Sequence, residues 1–297
     1  MLPPELRNYK ERRPMLIDLH SHTNVSDGQD SPEELIQHAK TVGLSVLAIT
    51  DHDTVDSWQS LRDKEQVGTL TIVPGAEISC RTPDGMSVHM LGYLFDPEAP
   101  RLKELMSLTR DDRIPRIKKI IELLNAAEIE VTFADVVSKS ESATTVGRPH
   151  LADALIERGH VTSRDEAFAK YLHNDSPFYV GHFAPSPEEA IAVIKESGGV
   201  SVLAHGLASS RGATYSLDEI AALVRYGLDG VEVDHRNHNQ AARNSLRDLA
   251  EQCDLLVTGS SDYHGLAVGQ RLGMEVTSLE VWESILAQGS GCEVFTV

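Results

Sequence analysis

Short runs of β-branched and aliphatic residues alternate with helix-patterned stretches along most of this 297-residue chain, and that alternation limits the fold more than any other feature. The runs cover residues 15–20, 45–50, 70–74, 88–94, 199–204, 230–233 and 255–259, and each reads as a buried strand. Amphipathic stretches lie between them. In the stretch 31–42, Pro32, Glu33 and Glu34 sit where the first turn of a helix favours them. Strand alternating with helix predicts a mostly parallel α/β sheet covered by helices, open or closed into a barrel. The rhythm breaks between about residues 97 and 180, where 102–125, 133–137 and 149–158 look helical and no strong strand run occurs. We therefore expect a barrel-type unit over 1–96 and 181–297, interrupted by a helical insertion over 97–180 that caps a substrate. After Gly265 the strand-like stretches 274–277 and 293–297 are expected to be additions to the sheet or the surface.

Charge and composition narrow the partners. With 27 Lys and Arg against 45 Asp and Glu, the formal net charge is −18, so no overall field draws in polyanions and non-specific binding of long duplex nucleic acid is disfavoured. An anionic small substrate remains compatible, because bound cations reverse the sign of a local site. No apolar run approaches the ~20 residues of a membrane-spanning helix, and no membrane partner is expected. The charged opening MLPPELRNYKERRPM lacks the apolar stretch of a secretory signal. Cys80, Cys253 and Cys292 are too scattered for a disulfide framework, and we expect a cytoplasmic protein.

The histidines are misplaced for a core. Of 13, six fall at or just beyond predicted strand ends, several beside carboxylates. His20-Ser21-His22 follows the first run; in an extended segment residues two apart share a face, so both imidazoles can reach one ion. Asp27-Gly28 then lies in a loop able to fold back beside them. Thr50-Asp51-His52-Asp53 follows the second run, Gly75-Ala76-Glu77 the third, and His89 lies within the fourth. Ala204-His205 ends the fifth run, and Ser261-Asp262-Tyr263-His264-Gly265 follows the seventh. In parallel α/β folds, loops at the carboxyl ends of strands assemble the ligand site. Repeated imidazoles and carboxylates on one sheet edge point to a multinuclear metal site. Mixed nitrogen and oxygen donors without thiolate suit manganese, zinc or iron.

The ordered set HxH (His20, His22), Asp27-Gly28-Gln29-Asp30-Ser31-Pro32, TDHD (50–53), GxE (75–77), His89, His205 and SDYHG (261–265) resembles the PHP (polymerase and histidinol phosphatase) family of metal-dependent phosphoesterases. The resemblance implies a distorted (β/α)7 barrel. It also implies two to three divalent ions: one on His20, His22, Glu77 and Asp262, a second on Glu77, His89 and His205, a third on Asp27, His52 and His264. Glu77, His205 and Asp262 would be catalytic, working with a hydroxide generated between the ions. Gly206 departs from the proline that many relatives carry after this histidine, which would loosen the loop holding His205. The run Val146-Gly147-Arg148-Pro149-His150 resembles the small nucleotide-directed branch of the family, which acts on nucleoside 3′,5′-bisphosphates or trims RNA from its 5′ end. Arg148 and Arg211 offer bidentate forks to phosphate. His235 and His238, after the sixth run, are candidates to line the pocket.

The expected function is hydrolysis of a terminal phosphate ester on a nucleotide or short oligonucleotide. Histidinol phosphate is a less favoured substrate. Hydrolysis of a C–N or C–O bond by the same centre is the alternative, and a non-catalytic metal-binding module is a third reading. The oligomeric state is left open.

Overall fold

The computed structural model describes residues 15–62, 68–139, 146–173, 176–181, 183–209, 213–266 and 269–297. Seven strands follow one another round the sheet in chain order: β1 (Ile17–Asp18), β2 (Val46–Ile49), β3 (Thr71–Arg81), β4 (Ser87–Tyr93), β5 (Val200–Leu203), β6 (Gly230–Asp234) and β7 (Leu256–Gly259). An isolated parallel bridge between Ser21 and Tyr263 brings the two ends of the sheet together, giving a nearly closed barrel. A short β8 (Phe295–Thr296) pairs antiparallel with the first residues of β3. The expected barrel is therefore the observed one. Of the two expected C-terminal additions, 293–297 supplies β8, whereas 274–277 forms no strand.

The helices are α1 (Pro32–Val42), α2 (Asp56–Arg62), α3 (Pro100–Asp111), α4 (Arg113–Ala126), α5 (Phe133–Val137), α6 (Arg148–Glu157), α7 (Arg164–Ala167), α8 (Pro187–Glu196), α9 (Leu217–Val224), α10 (Gln240–Cys253) and α11 (Leu279–Gln288). Ser31 caps α1 with a reciprocal bond to Glu34, satisfying two end donors at once. Alternate residues of each strand feed separate cores. Val46 and Ala48 of β2 join Ile17, Tyr93, Val202 and Trp282 of α11 in one cluster. Leu47 and Ile49 join Leu35, Trp58, Ile191 and Leu246 from the covering helices in the other. This period-two sorting is what a sheet buried on both faces requires.

Two details sharpen the expected pattern. The helical stretch 102–125 is two helices: α3 ends at Asp111 and α4 restarts at Arg113. Pro115 explains the break, since a proline ring inside a helix would strike the carbonyl four residues earlier, whereas the first turn tolerates it. The sheet is mostly parallel, as expected, with one reversed strand. β4 runs antiparallel to both β3 and β5. β3 continues through Pro74 and Gly75 to Arg81, leaving only residues 82–86 before β4, too few for the crossover that a parallel pair needs. Pro74 sits opposite Ile49, the last residue of β2, where the lost N–H interrupts no continuing ladder.

Between β4 and β5, helices α4 to α7 and a π-helical turn (Phe168–Leu172) bury their own cluster, including Ile117, Ile120, Leu124, Val136, Leu151, Leu155 and Leu172. No helix among the described residues is long and apolar enough to cross a membrane.

Candidate metal centre

The strand ends of the barrel gather the nine histidines and carboxylates singled out by the sequence. β1 runs out into His20-Ser21-His22, held extended by Ser21, whose Oγ donates to the Ala48 carbonyl at 2.6 Å. The Asp51 carboxylate accepts the Thr23 backbone N–H and hydroxyl, both at 2.8 Å, and the Ser26 hydroxyl at 2.5 Å. Those bonds fold residues 23–27 back and bring Asp27 in beside the imidazoles. Because β4 is antiparallel, His89 near its start lies on the edge where the other strands end. There it stands opposite Ser79 of β3.

Glu77 is the hub. Its Oε2 lies 3.2 Å from His20 Nε2, 3.1 Å from His22 Nε2 and 3.2 Å from His52 Nδ1. Its Oε1 lies 2.8 Å from His89 Nδ1 and 3.0 Å from His205 Nε2. Asp262 Oδ1 stands 3.3 Å from His20 Nε2 and 3.4 Å from His22 Nε2. Asp27 faces His52 at 3.6 Å and His264 at 3.4 Å. Three groups have donor atoms close enough to share an ion: His20, His22, Glu77 and Asp262; His22, Asp27, His52 and His264; and His52, Glu77 and His89. The first matches the expected set. The other two differ, since His22 and His52 each reach two groups and His205 meets Glu77 from outside the third.

The donors fit cations better than one another. His22 Nδ1 and His52 Nδ1 are buried without a hydrogen-bond partner, a costly condition for an imidazole nitrogen unless an ion takes its lone pair. Burial would raise the Glu77 pKa, but the imidazoles of His89, His52 and His20 hold it well below the carboxylate range. Burial opposes protonation of His22, yet Asp262 and Glu77 keep its pKa at about 10. The pocket thus prefers carboxylates charged and positive charge between them, which divalent ions supply. Of the six non-glycine residues with left-handed backbone among the described residues, three lie at or beside this centre: Asp53 (φ 54°), His205 (φ 32°) and Asp262 (φ 50°).

A supporting layer was invisible in the sequence. Glu232, inside β6 and fully buried, takes His20 Nδ1 at 3.2 Å, the His205 backbone N–H at 2.8 Å and the Ser260 hydroxyl. Its only signal was a carboxylate within an apolar run. Asp18 likewise ties β1 to the loop after β7 by accepting from Ser261 N at 3.0 Å and Gly273 N at 2.8 Å. Asp53 receives Ser79 N at 2.8 Å and pairs with Arg113 of α4.

The four expected substrate residues fare differently. His238 does not line an open pocket: it is buried, with Nδ1 donating to the Val233 carbonyl at 3.0 Å and Nε2 accepting Leu207 N–H at 3.2 Å. His235 is also buried; Nδ1 accepts Asn237 N–H at 3.1 Å and Nε2 faces Asp262 Oδ2 at 3.3 Å, so it orients that carboxylate. Arg148 opens α6, donates to the Leu172 carbonyl at 2.7 Å and stacks on Phe168 and Tyr179. Arg211 lies outside the described residues. Gly206 does not loosen its loop: His205 is pinned through its N–H to Glu232 and through its carbonyl to Ala208 N at 3.0 Å. A Cβ on Gly206 would come within 2.8 Å of Leu203 Cδ2.

This geometry has counterparts. Residues 18–168 match the family model of the PHP domain. The chain is 31% identical to the 5′-3′ exoribonuclease Rnm of Escherichia coli K12 over 91% of its own length and 93% of the relative's. It is 29% identical to a 3′,5′-nucleoside bisphosphate phosphatase of Chromobacterium violaceum, over 86% and 89% of the two chains. A solved structure from Bifidobacterium adolescentis, assigned as a metal-dependent phosphoesterase, superposes with a TM-score of 0.83 at 34% identity, covering 94% of this chain and 98% of that one. With its ordered motifs converging on one carboxylate at the barrel rim, the chain belongs to the PHP domain family of metal-dependent phosphoesterases.

Proposed function

We propose that this protein is a phosphoric ester hydrolase that removes a terminal phosphate from a nucleotide or short oligonucleotide. Two to three divalent ions, drawn from manganese, zinc and iron, are its cofactors. The observation that carries the reading is Glu77, whose two oxygens face separate sets of imidazoles and so suit it to bridge ions. His20, His22, Asp27, His52, His89, His205, Asp262 and His264 would complete the ligand set. When bound, such ions supply Lewis acidity that activates water and offsets charge on the phosphoryl oxygens.

The chain's own residues do the positioning. Glu77 and Asp262 place their charges against His20 and His22 in a buried pocket, where attraction is stronger than in bulk water. Glu232 holds His20 in the tautomer that turns Nε2 inward. His205 and His89 approach Glu77 on the other oxygen, where their rings form one wall. Relatives that act on RNA ends and nucleoside bisphosphates favour a nucleotide over histidinol phosphate.

The test is release of inorganic phosphate from a panel of mononucleotides, bisphosphates and short oligonucleotides with Mn²⁺ present, metal content being fixed by elemental analysis. Turnover that Glu77→Gln reduces at least a hundredfold is the expected result. A metal-loaded wild type inert towards every phosphoester overturns the reading.

A further inference from the structure

We propose that Arg164 and Arg110, from the helical segment between β4 and β5, are positioning residues for the ion site of His22, Asp27, His52 and His264, so that docking of that segment sets the ion's affinity. This rests on the metal-ligand reading of the centre and extends it to two side chains outside the ligand set.

Asp27 lies well beyond the end of β1 in an irregular loop, and it belongs to this donor group alone. The peptide unit between Asp27 and Gly28 is held at both polar ends. Its N–H, on Gly28, donates inward to the Thr23 carbonyl at 2.9 Å. Its carbonyl, on Asp27, accepts from Arg164 Nη1 at 3.3 Å. The unit lies close against the His22 backbone, where a Cβ on Gly28 would not fit.

Arg164 is built as a strut. It opens α7, where the Ser163 hydroxyl caps the helix by accepting the Glu166 N–H at 3.1 Å. Its Nε and Nη2 fork the Asp153 carboxylate of α6 at 2.7 and 2.5 Å, which fixes the guanidinium plane and balances its charge. The remaining nitrogen, Nη1, is thereby aimed at the barrel. Around it the two parts of the chain separate: a cleft of about 450 Å³ lies between Asn24, Gly28 and Gln29 on one side and Ile156 and Glu157 on the other, with Arg164 in its lining. The bond to the Asp27 carbonyl bridges a gap that packing does not fill.

The loop carrying His52 is held in the same way. Asp53, next to His52, has left-handed backbone, a conformation that persists only where the surroundings over-determine it. Its N–H donates to the Glu77 carbonyl at 3.1 Å, and its carbonyl accepts from Nη1 of Arg110, near the end of α3. Two charged donors from the helical segment therefore end on backbone carbonyls in two loops that carry ligands of one ion. Loss of a partner behind a ligand typically lowers metal affinity roughly 10–100-fold. Docking of the segment and loading of this ion are linked, and linkage is reciprocal, so each strengthens the other by the same factor. The group of His20, His22, Glu77 and Asp262 is held by barrel residues such as Glu232 and His235, and its ion should be indifferent to the struts.

The experiment titrates Mn²⁺ calorimetrically into the full-length, EDTA-stripped wild type, Arg164→Ala, Arg164→Lys and Arg110→Ala, with bound ions counted by elemental analysis after gel filtration. We expect one ion of the set to bind at least tenfold more weakly in each alanine variant while the others keep wild-type affinity. Arg164→Lys should recover part of the loss. Arg158→Ala is the control, because it breaks a comparable fork, from Arg158 to Asp135 at 3.0 and 2.7 Å, within the same helical segment. An equal loss in Arg158→Ala marks general loosening and overturns the proposal. Wild-type affinity for every ion in either alanine variant, beside a wild type that loads Mn²⁺, overturns it as well. A wild type that binds no Mn²⁺ overturns the metal reading and this inference with it. None of these readouts needs turnover, so they stand apart from the choice of substrate and reaction. Reciprocity supplies a second measurement: hydrogen exchange over residues 148–167 should slow on Mn²⁺ loading in the wild type and respond less in Arg164→Ala. Wild-type exchange there that ignores Mn²⁺ overturns the coupling. If Arg164→Ala fails to fold, Arg110→Ala and Arg164→Lys carry the test.

Discussion

His20 Nδ1 lies 3.2 Å from Glu232 Oε1, and neither side chain is reached by solvent. A carboxylate behind a ligating imidazole fixes its tautomer and raises its basicity, and loss of such a partner typically costs 10–100-fold in metal affinity. Glu232→Gln keeps the volume but not the charge. We expect metal affinity to fall by about that factor, measured by competition with a fluorescent chelator, and turnover at subsaturating metal to fall with it. Unchanged affinity would remove Glu232 from the centre.

His235 and His238 lie three residues apart yet predict different phenotypes. Both are buried, so each alanine variant should lose stability, but His235 orients Asp262, so His235→Ala should also lower the turnover of its folded, metal-saturated fraction on the order of tenfold or more. His238 joins two backbone groups, so His238→Ala should destabilise the protein by about 1–3 kcal/mol. Its remaining folded fraction should keep kcat. Chemical denaturation alongside steady-state kinetics distinguishes the two.

Gly28 follows Asp27, and a Cβ there would run into the carbonyl of His22. The loop would have to shift, carrying Asp27 away from His52 and His264. Gly28→Ala should therefore lower the number of ions bound per chain, read by elemental analysis after gel filtration, at a stability cost of about 1–3 kcal/mol. Full metal content in this variant would count against Asp27 as a ligand.

Removing the ions should destabilise the fold as well as stop turnover. A ligand at a hundred times its Kd stabilises the native state by about 2.7 kcal/mol, and several ions add further. Treatment with EDTA should lower the midpoint of thermal unfolding by several degrees, and Mn²⁺ or Zn²⁺ should restore it. An unchanged midpoint in a protein shown to have lost its metal would separate the centre from the fold.

Much of the centre was legible because its donors come from short motifs next to strands, where a histidine or carboxylate has little structural reason to be. The fold was legible in its alternation, with one exception that has a local cause. Pro74 and Gly75 look like the end of a strand, yet β3 runs on to Arg81, which hid the short turn into an antiparallel β4. Glu232 and Asp18 were not legible as support: each is one polar residue in an apolar run, and only the closed sheet reveals which distant backbone groups they meet.

β1 contributes only two residues to the sheet, and the ring is joined through Ser21 and Tyr263, each flanked by proposed ligands. The seam of the barrel and the mouth of its reaction chamber are thus one stretch of chain. Ions held by those ligands would brace the seam and the site together.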